Sequence, residues 1–325
     1  MAQTVHTVDN RPESGAMYTT VAAAISAATA GDIIHIHPSP TNYGSITVNK
    51  TLTLIGLGHN PANEAGLRAS IITVTFNGIS TNSVVKGLDI VSISGLSGTN
   101  NDGIKIINNR ITSTIQGSQV AGLADDWVIE GNYITVGIIY GYLGDNWRIS
   151  NNWTGGSFSN MKNTTVIINN VIVNSSSGTP NIFFSCNSPI VANNIFLFTG
   201  TANGVGLSSS STVTFNKCLT YSYAGTTLTA LGGGVNFDNT NPIFTNVPTS
   251  TVTDFYNNDF SLATGFPGIG AGTDGTNIGV FGRLFDFDIN GRPDLSPYPT
   301  DINITNNVIA PGQSLNVTFK ASIKQ

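Results

Sequence analysis

Six segments between residues 104 and 220 carry nearly the same pattern of apolar and polar positions. In each segment a short run alternates β-branched and polar residues, a polar pair follows, and a second short run begins. The segments are IKIINNRIT, WVIEGNYIT, WRISNNWTG, TVIINNVIV, PIVANNIFL and TVTFNKCLT. Alternation with period two predicts strands, and no helical spacing separates the segments. The chain is therefore predicted to be all-β.

The segments recur at a nearly constant spacing. Aligned on the second residue of the polar pair, they follow one another at steps of 23, 20, 18, 24 and 23 residues. The aligned residues are Asn109, Asn132, Asn152, Asn170, Asn194 and Lys217, with Gly87 and Gly56 as earlier members. A fixed period is typical of a solenoid. We expect about ten coils, which at ~4.8 Å each make a rod roughly 50 Å long.

Two columns of this alignment are mostly apolar and are expected to face the core. The column three residues before the aligned residue holds Ile106, Ile129, Ile149, Ile167 and Val191; the column two residues after it holds Ile111, Ile134, Thr154, Ile172 and Phe196. By the same parity, Trp127 and Trp147 are predicted to lie in the core. Asn in the turn suits a left-handed backbone, and stacked Asn side chains are expected to hydrogen-bond along their column.

The repeated V/I-x-x-N-N-x-I motif resembles the right-handed parallel β-helix proteins of the pectate-lyase-like superfamily. Residues 22–57 resemble the entry of many secreted β-helices, and residues 260–282 (FSLATGFPGIGAGTDGTNIGVFG) resemble the closing coil of those of the Bacteroidetes type. The resemblance covers roughly residues 18–300. It implies a right-handed single-stranded parallel β-helix with a capping helix at Tyr18–Ala30 and a C-terminal β cap or tail. It is weak for function, because the superfamily includes lyases, hydrolases, esterases, adhesins and phage spikes.

One elongated unit with three parts is expected. Residues 1–31 form an irregular arm and the capping helix, residues 32–282 the parallel β-helix, and residues 283–325 a C-terminal loop and strand tail. In the tail, apolar residues alternate from Leu315 to Ile323, which predicts a half-buried strand. This strand either caps the end of the solenoid, begins a β-sandwich, or docks a partner by strand addition.

Composition limits the partners and the compartment. Only 10% of the 325 residues are charged, the net charge is −5, and no basic patch favours nucleic acid. No apolar run approaches the ~18 residues of a membrane span. The start lacks the segments of a signal peptide, yet Ala2-Gln3 resembles a mature end left by cleavage. We expect an extracellular or cell-surface protein, with a cytoplasmic or phage-encoded protein as the alternative.

Two cysteines and one acidic turn each have two interpretations. Cys186 and Cys218 occupy different positions in the repeat, which favours two buried thiols over a disulfide. Residues 286–291 read D-x-D-x-N-G, the opening of a calcium loop, but Pro297 stands at the twelfth position instead of Glu. A turn is favoured there, with Ca²⁺ as the alternative.

An acidic column is the sharpest candidate for chemistry. Asp102, Asp125 and Asp145 each lie seven residues before the aligned residue, so we expect them to stack on successive coils. Stacked carboxylates repel unless a cation or a proton relieves them, and oxygen ligands suit Ca²⁺. The resemblance implies the same, since pectate lyases of this fold hold Ca²⁺ with acidic residues and use an Arg or Lys base; Arg148 is the candidate. The alternative is that these Asp residues merely form turns before strands.

Aromatic residues suggest a second kind of site. Tyr133 and Trp153 follow the aligned Asn directly and lie between inward-facing positions, so they are expected to point outward and bind carbohydrate. Because no catalytic set is complete, the sequence favours a non-catalytic module that binds polysaccharide or a surface protein, or that belongs to a larger surface assembly docked through residues 300–325. The alternative is a Ca²⁺-dependent polysaccharide lyase or another carbohydrate-active enzyme. No other cofactor is expected.

Overall fold

The computed structural model describes residues 3–63, 65–142, 144–248, 252–283, 285–294, 297–305, 312 and 314–323. These residues form a parallel β-solenoid of about eight turns, which confirms the predicted all-β solenoid. There are fewer turns than the ten expected. The regular coils end with the strand that finishes at Ser222, and the later residues that the structure describes add no strand to the stacked sheets.

Ten parallel strands form one face of the solenoid, called sheet 1. They are Val5–Val8, Ile33–Ile36, Thr53–Ile55, Val84–Lys86, Lys105–Ile107, Val128–Glu130, Arg148–Ser150, Val166–Ile168, Asn187–Ala192 and Thr212–Asn216.

A second sheet of fourteen strands starts as one ribbon, Ser45–Lys50, Ser70–Ile79 and Asp89–Gly95, and the last of these pairs with two branches. The branch called sheet 2 contains Arg110–Ile111, Tyr133–Ile134, Trp153–Thr154, Val171–Asn174, Ile195–Phe198 and Leu219–Ser222. The branch called sheet 3 contains Ile115–Gln116, Ile138–Tyr140, Ser157–Ser159, Asn181–Phe184 and Gly206–Leu207.

The remaining described elements are short. They are the α-helix Val21–Ala27, the 3-10 turns Pro12–Ser14, Pro61–Asn63 and Phe255–Asn257, and two antiparallel pairs, Phe244–Asn246 with Asp259–Leu262 and Pro297–Ile304 with Val317–Ile323.

Both apolar columns face the core as predicted. In sheet 1, Ile129 pairs with Ile106 and Ile149, and all three side chains are fully buried. In sheet 2, Ile134 pairs with Ile111, and both are buried. Each buried aliphatic side chain contributes roughly 1.5–3 kcal/mol, so adjacent coils stabilise one another through one continuous core.

The two predicted core tryptophans stack inside the solenoid. The rings of Trp127 and Trp147 lie 4.9 Å apart at an interplanar angle of 3°, and neither is exposed. Their indole N–H groups donate to the carbonyls of Asn101 (2.8 Å) and Ala124 (2.6 Å). Both tryptophans therefore lie in the core, as predicted.

The second Asn of each pair points into the core and forms a hydrogen-bonded ladder. Both the backbone N–H and the side-chain Nδ2 of Asn132 donate to Oδ1 of Asn152 (2.9 Å each), and Nδ2 also donates to the carbonyl of Ile106 (2.8 Å). The residues that donate in this way to the Asn of the next coil are Asn109, Asn132, Asn152 and Asn170. The ladder satisfies buried polar groups that no water reaches.

The end of the ladder differs from the sequence alignment by one residue. Ile195 pairs with Leu219, so Cys218 rather than Lys217 follows Asn194 in the stack. Lys217 instead belongs to the column of the first Asn, where its backbone has φ 54°. The alignment was wrong here because the segment around Lys217 lacks the second Asn that marks the register.

The early glycine is displaced in the same way. Asp89 pairs with Arg110, so Leu88 stands opposite Asn109 and its backbone N–H donates to the Asn109 side chain at 3.0 Å. Gly87 therefore occupies the column of the first Asn and has φ 69°. The left-handed residues of that column are Gly87, Asn108, Gly131, Asn151, Asn169, Asn193 and Lys217, so the predicted left-handed turn lies at the first residue of each pair.

The N-terminal part is more regular than expected. Val5–Val8 is not an irregular arm but a strand that pairs in parallel with Ile33–Ile36. The predicted capping helix is present over Val21–Ala27 and is shorter than Tyr18–Ala30. It begins at the N-cap Thr20, whose hydroxyl accepts the backbone N–H of Ala23 at 3.2 Å.

Residues 252–283 and 285–293, called the covering segment, pack on the outside of sheet 2. They form a second apolar cluster with outward-facing residues of that sheet. Its buried members include Trp153, Val171, Ile195, Leu219, Phe255, Phe260, Phe266 and Phe287. Residues 260–282 are thus not a closing coil. Across the expected boundary at residue 282, the rings of Phe281 and Phe287 lie 5.5 Å apart.

The first Asn of several pairs holds the covering segment in place. Asn151 Nδ2 donates to the carbonyls of Val280 (3.0 Å) and Gly282 (2.8 Å). The other contacts of this kind are Asn108 Nδ2 to the Arg292 carbonyl, Asn169 Nδ2 to the Asn277 carbonyl, and the Asn193 side chain to Thr273. The Asn pair therefore has two roles, because its inner residue joins the coils and its outer residue binds the covering segment.

The C-terminal tail forms an antiparallel hairpin, Pro297–Ile304 with Val317–Ile323, rather than a half-buried strand. Every residue of Val317–Ile323 is exposed. Ile302, Val317 and Phe319 are 61%, 51% and 60% exposed. The interpretation of this strand as a buried cap is therefore wrong, since its apolar side chains do not pack on the solenoid.

The ladder predicts a large cost for removing one inner Asn. Asn152→Ala removes the acceptor that serves two donors of Asn132, and leaving buried donors unpaired should lower the unfolding free energy by about 3 kcal/mol. Asn181→Ala, at an exposed position in sheet 3, is the matched control and should change it by less than about 0.5 kcal/mol. Urea unfolding measures both variants, and equal losses would contradict the proposed importance of the ladder.

The exposure of the hairpin predicts that replacing Phe by Ala costs much less stability there than in the core. Phe196→Ala in the core should cost about 3–5 kcal/mol. Phe319→Ala in the hairpin should cost less than about 0.5 kcal/mol, because the Phe319 ring is already in solvent. Thermal and urea unfolding of the two variants make the comparison. A large loss for Phe319→Ala would show that the hairpin is packed in solution.

Candidate binding site

The acidic column stacks on successive coils as predicted, and backbone groups bind its carboxylates. Oδ1 of Asp102 accepts the backbone N–H of Asp125 (2.8 Å), and Oδ1 of Asp125 accepts that of Asp145 (2.7 Å). At the end of the column, Asp145 accepts from Lys162 Nζ (2.7 Å) and the Thr164 hydroxyl (2.9 Å). The hydrogen bond from Lys162 lowers the pKa of Asp145. These contacts agree with the interpretation that the Asp residues stabilise the turns before the strands.

No set of metal ligands emerges from the described residues: none of their His, Cys, Asp and Glu side chains gather in groups of three or more that could hold an ion. Calcium at Asp102, Asp125 and Asp145 therefore stays a prediction. Oxygen atoms are present on adjacent coils, but the arrangement already uses one oxygen of Asp102 and one of Asp125 for backbone N–H groups.

Arg148 lies on the outer face of sheet 1, where it pairs with the neighbouring coil. Its Nη2 is 3.1 Å from Oε2 of Glu130, and the other oxygen of Glu130 accepts the Ser150 hydroxyl at 2.8 Å. In the part of the chain that the structure describes, no hydrogen bond or ion pair connects Arg148 with the acidic column. The base proposed for a lyase and its proposed metal ligands are thus engaged in separate contacts.

A cavity of about 230 Å³ opens beside this ion pair. It is lined by Glu130, Arg148, Arg283 and Phe285, so sheet 1 forms one wall and the covering segment the other. Phe285 also packs over the turn at Gly131, where an added Cβ would lie 2.4 Å from the ring. The sequence does not reveal that Arg283 and Phe285 line a cavity with Arg148, because a separation of more than 130 residues leaves no signal in one sequence.

Tyr133 and Trp153 point out of the solenoid as predicted but are covered. Trp153 is 3% exposed, and its ring lies 5.7 Å from that of Phe255 in the covering segment. Tyr133 stacks on the same ring at 4.0 Å with an interplanar angle of 9°. Trp153 is therefore not part of an open surface, contrary to the expectation, whereas Tyr133 is half-buried and its binding of carbohydrate stays a prediction. Parity shows which face a side chain occupies but not what covers that face.

His59 is a buried titratable group that the sequence did not reveal. Its Nδ1 is 3.0 Å from the Tyr256 hydroxyl, which itself donates to the His59 carbonyl, while Nε2 is buried without a hydrogen-bond partner. Burial, followed by the charges of Arg110 and Arg68, lowers the pKa of His59 to about 3. The imidazole is therefore neutral near pH 7 and forms part of the packing between solenoid and covering segment.

The D-x-D-x-N-G sequence is a turn in the structure. Oδ1 of Asp288 accepts the backbone N–H of Asn290 at 2.8 Å, and Gly291 has φ 65°. An added Cβ at Gly291 would lie 2.1 Å from the ring of His59, so glycine is required there for both backbone and space. Asn290 Oδ1 also accepts from Asn60 and Asn63, which fixes this end of the covering segment.

The two cysteines are buried free thiols, as predicted. Burial raises the pKa of the Cys218 thiol to about 12 and also raises that of Cys186. Neither thiol is therefore a nucleophile at neutral pH.

No protein-family model matches the chain, and no curated protein matches it in sequence. The fold and the site define its class as a parallel β-solenoid protein with an external covering segment. No described helix is long and apolar enough to cross a membrane.

The lowered pKa of His59 predicts acid-sensitive stability. His59 binds a proton near pH 6.5 in the unfolded state and only near pH 3 in the folded state. The contribution of the neutral His59 to the free energy of unfolding is therefore complete above pH 6.5 and is lost as the pH falls from 6.5 towards 3. Each group of this kind adds a slope of up to about 1.4 kcal/mol per pH unit. In His59→Gln, urea unfolding between about pH 6 and pH 4.5 should show a slope smaller by that amount.

Asn152→Ala is the control for this experiment, because it is destabilised without loss of a titratable group. It should keep the pH slope of the wild-type protein. A His59→Gln slope equal to that of the wild type would mean that His59 is protonated in the folded protein.

Proposed function

We propose that this protein is a non-catalytic binding or structural module, secreted or displayed at a cell surface, whose partner is a polysaccharide or a surface protein. The observation that carries the proposal is that the groups expected to act in catalysis already bind the scaffold. Oδ1 of Asp102 and Oδ1 of Asp125 accept backbone N–H groups, and Arg148 is paired with Glu130.

The scaffold itself suits binding better than turnover. The coils are joined by a buried Asn ladder and a continuous core, and the covering segment is fixed along sheet 2 by hydrogen bonds and aromatic packing. A rigid surface pre-organises a binding site, because little conformational entropy is lost when a partner binds. The resemblance to secreted β-helix proteins of the pectate-lyase-like superfamily supports the extracellular location.

A role within a larger surface assembly is supported by the C-terminal hairpin. It presents Ile302, Val317 and Phe319 to solvent, although an isolated two-stranded hairpin is only marginally stable in water. We infer that residues 300–325 dock on a protein partner that contributes apolar surface, such as a neighbouring module of a surface assembly.

A Ca²⁺-dependent polysaccharide lyase is the second candidate. One observation favours it, namely that Asp102, Asp125 and Asp145 stack on adjacent coils, where a divalent cation would relieve their repulsion. A lyase also requires a base to remove the C5 proton of a uronate, and Arg148 would have to leave Glu130 to serve in this role.

The test uses a panel of polyuronates and neutral glycans, incubated with the protein in Ca²⁺ and in EDTA. Ultraviolet absorbance reports unsaturated products, and pull-down on immobilised polymers reports binding. Asp125→Asn is the informative variant, because the amide oxygen still accepts the backbone N–H of Asp145 while the negative charge is lost. We expect no unsaturated product from any polymer. We also expect the protein to be retained on at least one immobilised polymer, to an extent that neither EDTA nor Asp125→Asn changes.

The contrary result is a Ca²⁺-dependent product that disappears in Asp125→Asn and in Arg148→Gln. It would make the protein a lyase and overturn the proposal.

A further inference from the structure

The cavity between sheet 1 and the covering segment contains an unbalanced positive charge. Of its four lining residues, Glu130 and Arg148 neutralise each other at 3.1 Å, and the second oxygen of Glu130 is occupied by Ser150. Glu130 is 8% exposed, so this carboxylate is held by fixed partners away from water. The remaining charge in the cavity is the guanidinium of Arg283.

Arg283 has no hydrogen-bond or ion-pair partner for its guanidinium among the residues that the structure describes. Burial raises the pKa of Asp274, but hydrogen bonds from Thr276 and the charge of Arg283 outweigh this effect, so the pKa is lowered overall. The side chains of Asp274 and Arg283 nevertheless form no ion pair. A guanidinium carries five N–H donors, and leaving them unpaired in a half-buried position is unfavourable. The backbone of Arg283 is also left-handed, with φ 60°, and its N–H donates to Thr276 Oγ1.

We propose that this cavity binds a compact carboxylic acid, with the guanidinium of Arg283 paired to the carboxylate and the ring of Phe285 packed against its skeleton. A planar guanidinium matches the two oxygens of a carboxylate with parallel hydrogen bonds. The net charge of +1 in the cavity matches a monoanion better than a dianionic phosphate, because Glu130 lies on the same wall.

The size of the cavity limits the ligand to one ring or a short acid. Its volume of about 230 Å³ is below the roughly 300–1,000 Å³ of pockets that hold drug-sized ligands. An aromatic wall favours a ligand with an apolar face, which both a sugar ring and a phenyl ring provide. The acid of an acidic sugar and a free aromatic acid share the same chemistry, so the experiment includes one of each.

This inference rests on the proposed function in one respect, since it takes the cavity as a binding site and not as a catalytic site. It adds the chemical class of the ligand and places it away from the acidic column.

The experiment is an NMR titration of the full chain at low salt with glucuronate, benzoate, glucose and inorganic phosphate. Glucose has the ring of glucuronate without the carboxylate, and phosphate tests whether any anion suffices. We expect glucuronate, benzoate or both to bind with a dissociation constant on the order of 1 mM, as one charge-assisted pair allows. Glucose and phosphate should bind at least tenfold more weakly.

Three variants locate the binding. Arg283→Gln should weaken carboxylate binding at least tenfold, and Arg283→Lys, which keeps the charge without the planar fork, should weaken it less. Lys105→Gln removes an exposed charge from the outer face of the same sheet and should leave the affinity unchanged. Because the Arg283 side chain makes no hydrogen bond to the described part of the chain, the midpoint of thermal unfolding of both Arg283 variants should match the wild type.

Equal affinity in Arg283→Gln and the wild type, or no binding of either acid at concentrations tenfold above the expected constant, would overturn the inference. If neither acid binds, while the immobilised polymers retain the protein and none is cleaved, only the inference of a carboxylate site fails. Turnover of a polyuronate would overturn the proposed function, and the comparison of Arg283→Gln with Lys105→Gln would still decide the carboxylate site.

Discussion

The solenoid depends on a column of buried amides. A parallel coil leaves backbone N–H groups at each turn without a strand partner, and a fully buried donor without an acceptor costs about 1–3 kcal/mol. Here the side chain of each inner Asn accepts a backbone N–H of the preceding coil and donates to a carbonyl of that same coil, as Asn152 does with the Asn132 N–H and the Ile129 carbonyl. The column lets the chain turn at the same place in each coil, so the apolar columns stay aligned.

The outer Asn of the pair extends the same turn to the surface. Its left-handed backbone directs the side-chain amide outward, where Asn151 and Asn169 donate to carbonyls of the covering segment. As a result, the aromatic face of sheet 2 is buried, and the open side of the segment forms the wall of a cavity over sheet 1. The position of Arg283 opposite Glu130 and Arg148 is therefore a consequence of how the turn is built.

The repeats, both apolar columns and the inward direction of Trp127 could be predicted from the sequence, because strand alternation decides them locally. The alignment failed by one residue at Lys217, where the inner Asn is replaced by Cys218 and the visible pattern shifts. The sequence does not indicate that Trp153 is covered, since Phe255, which packs against it, lies about a hundred residues further along the chain. For the same reason, the acidic column could be placed but the cavity around Arg283 could not.

The central claim is that the inner Asn column is the part of the fold on which the coils depend. Native-state hydrogen exchange of the backbone N–H groups of Asn109, Asn132, Asn152 and Asn170 tests it most directly, because each N–H donates to the side chain of the next Asn. The account predicts that these protons exchange as slowly as those of the strand residues Ile129 and Ile149, through global unfolding. Exchange as fast as in exposed turns would contradict it.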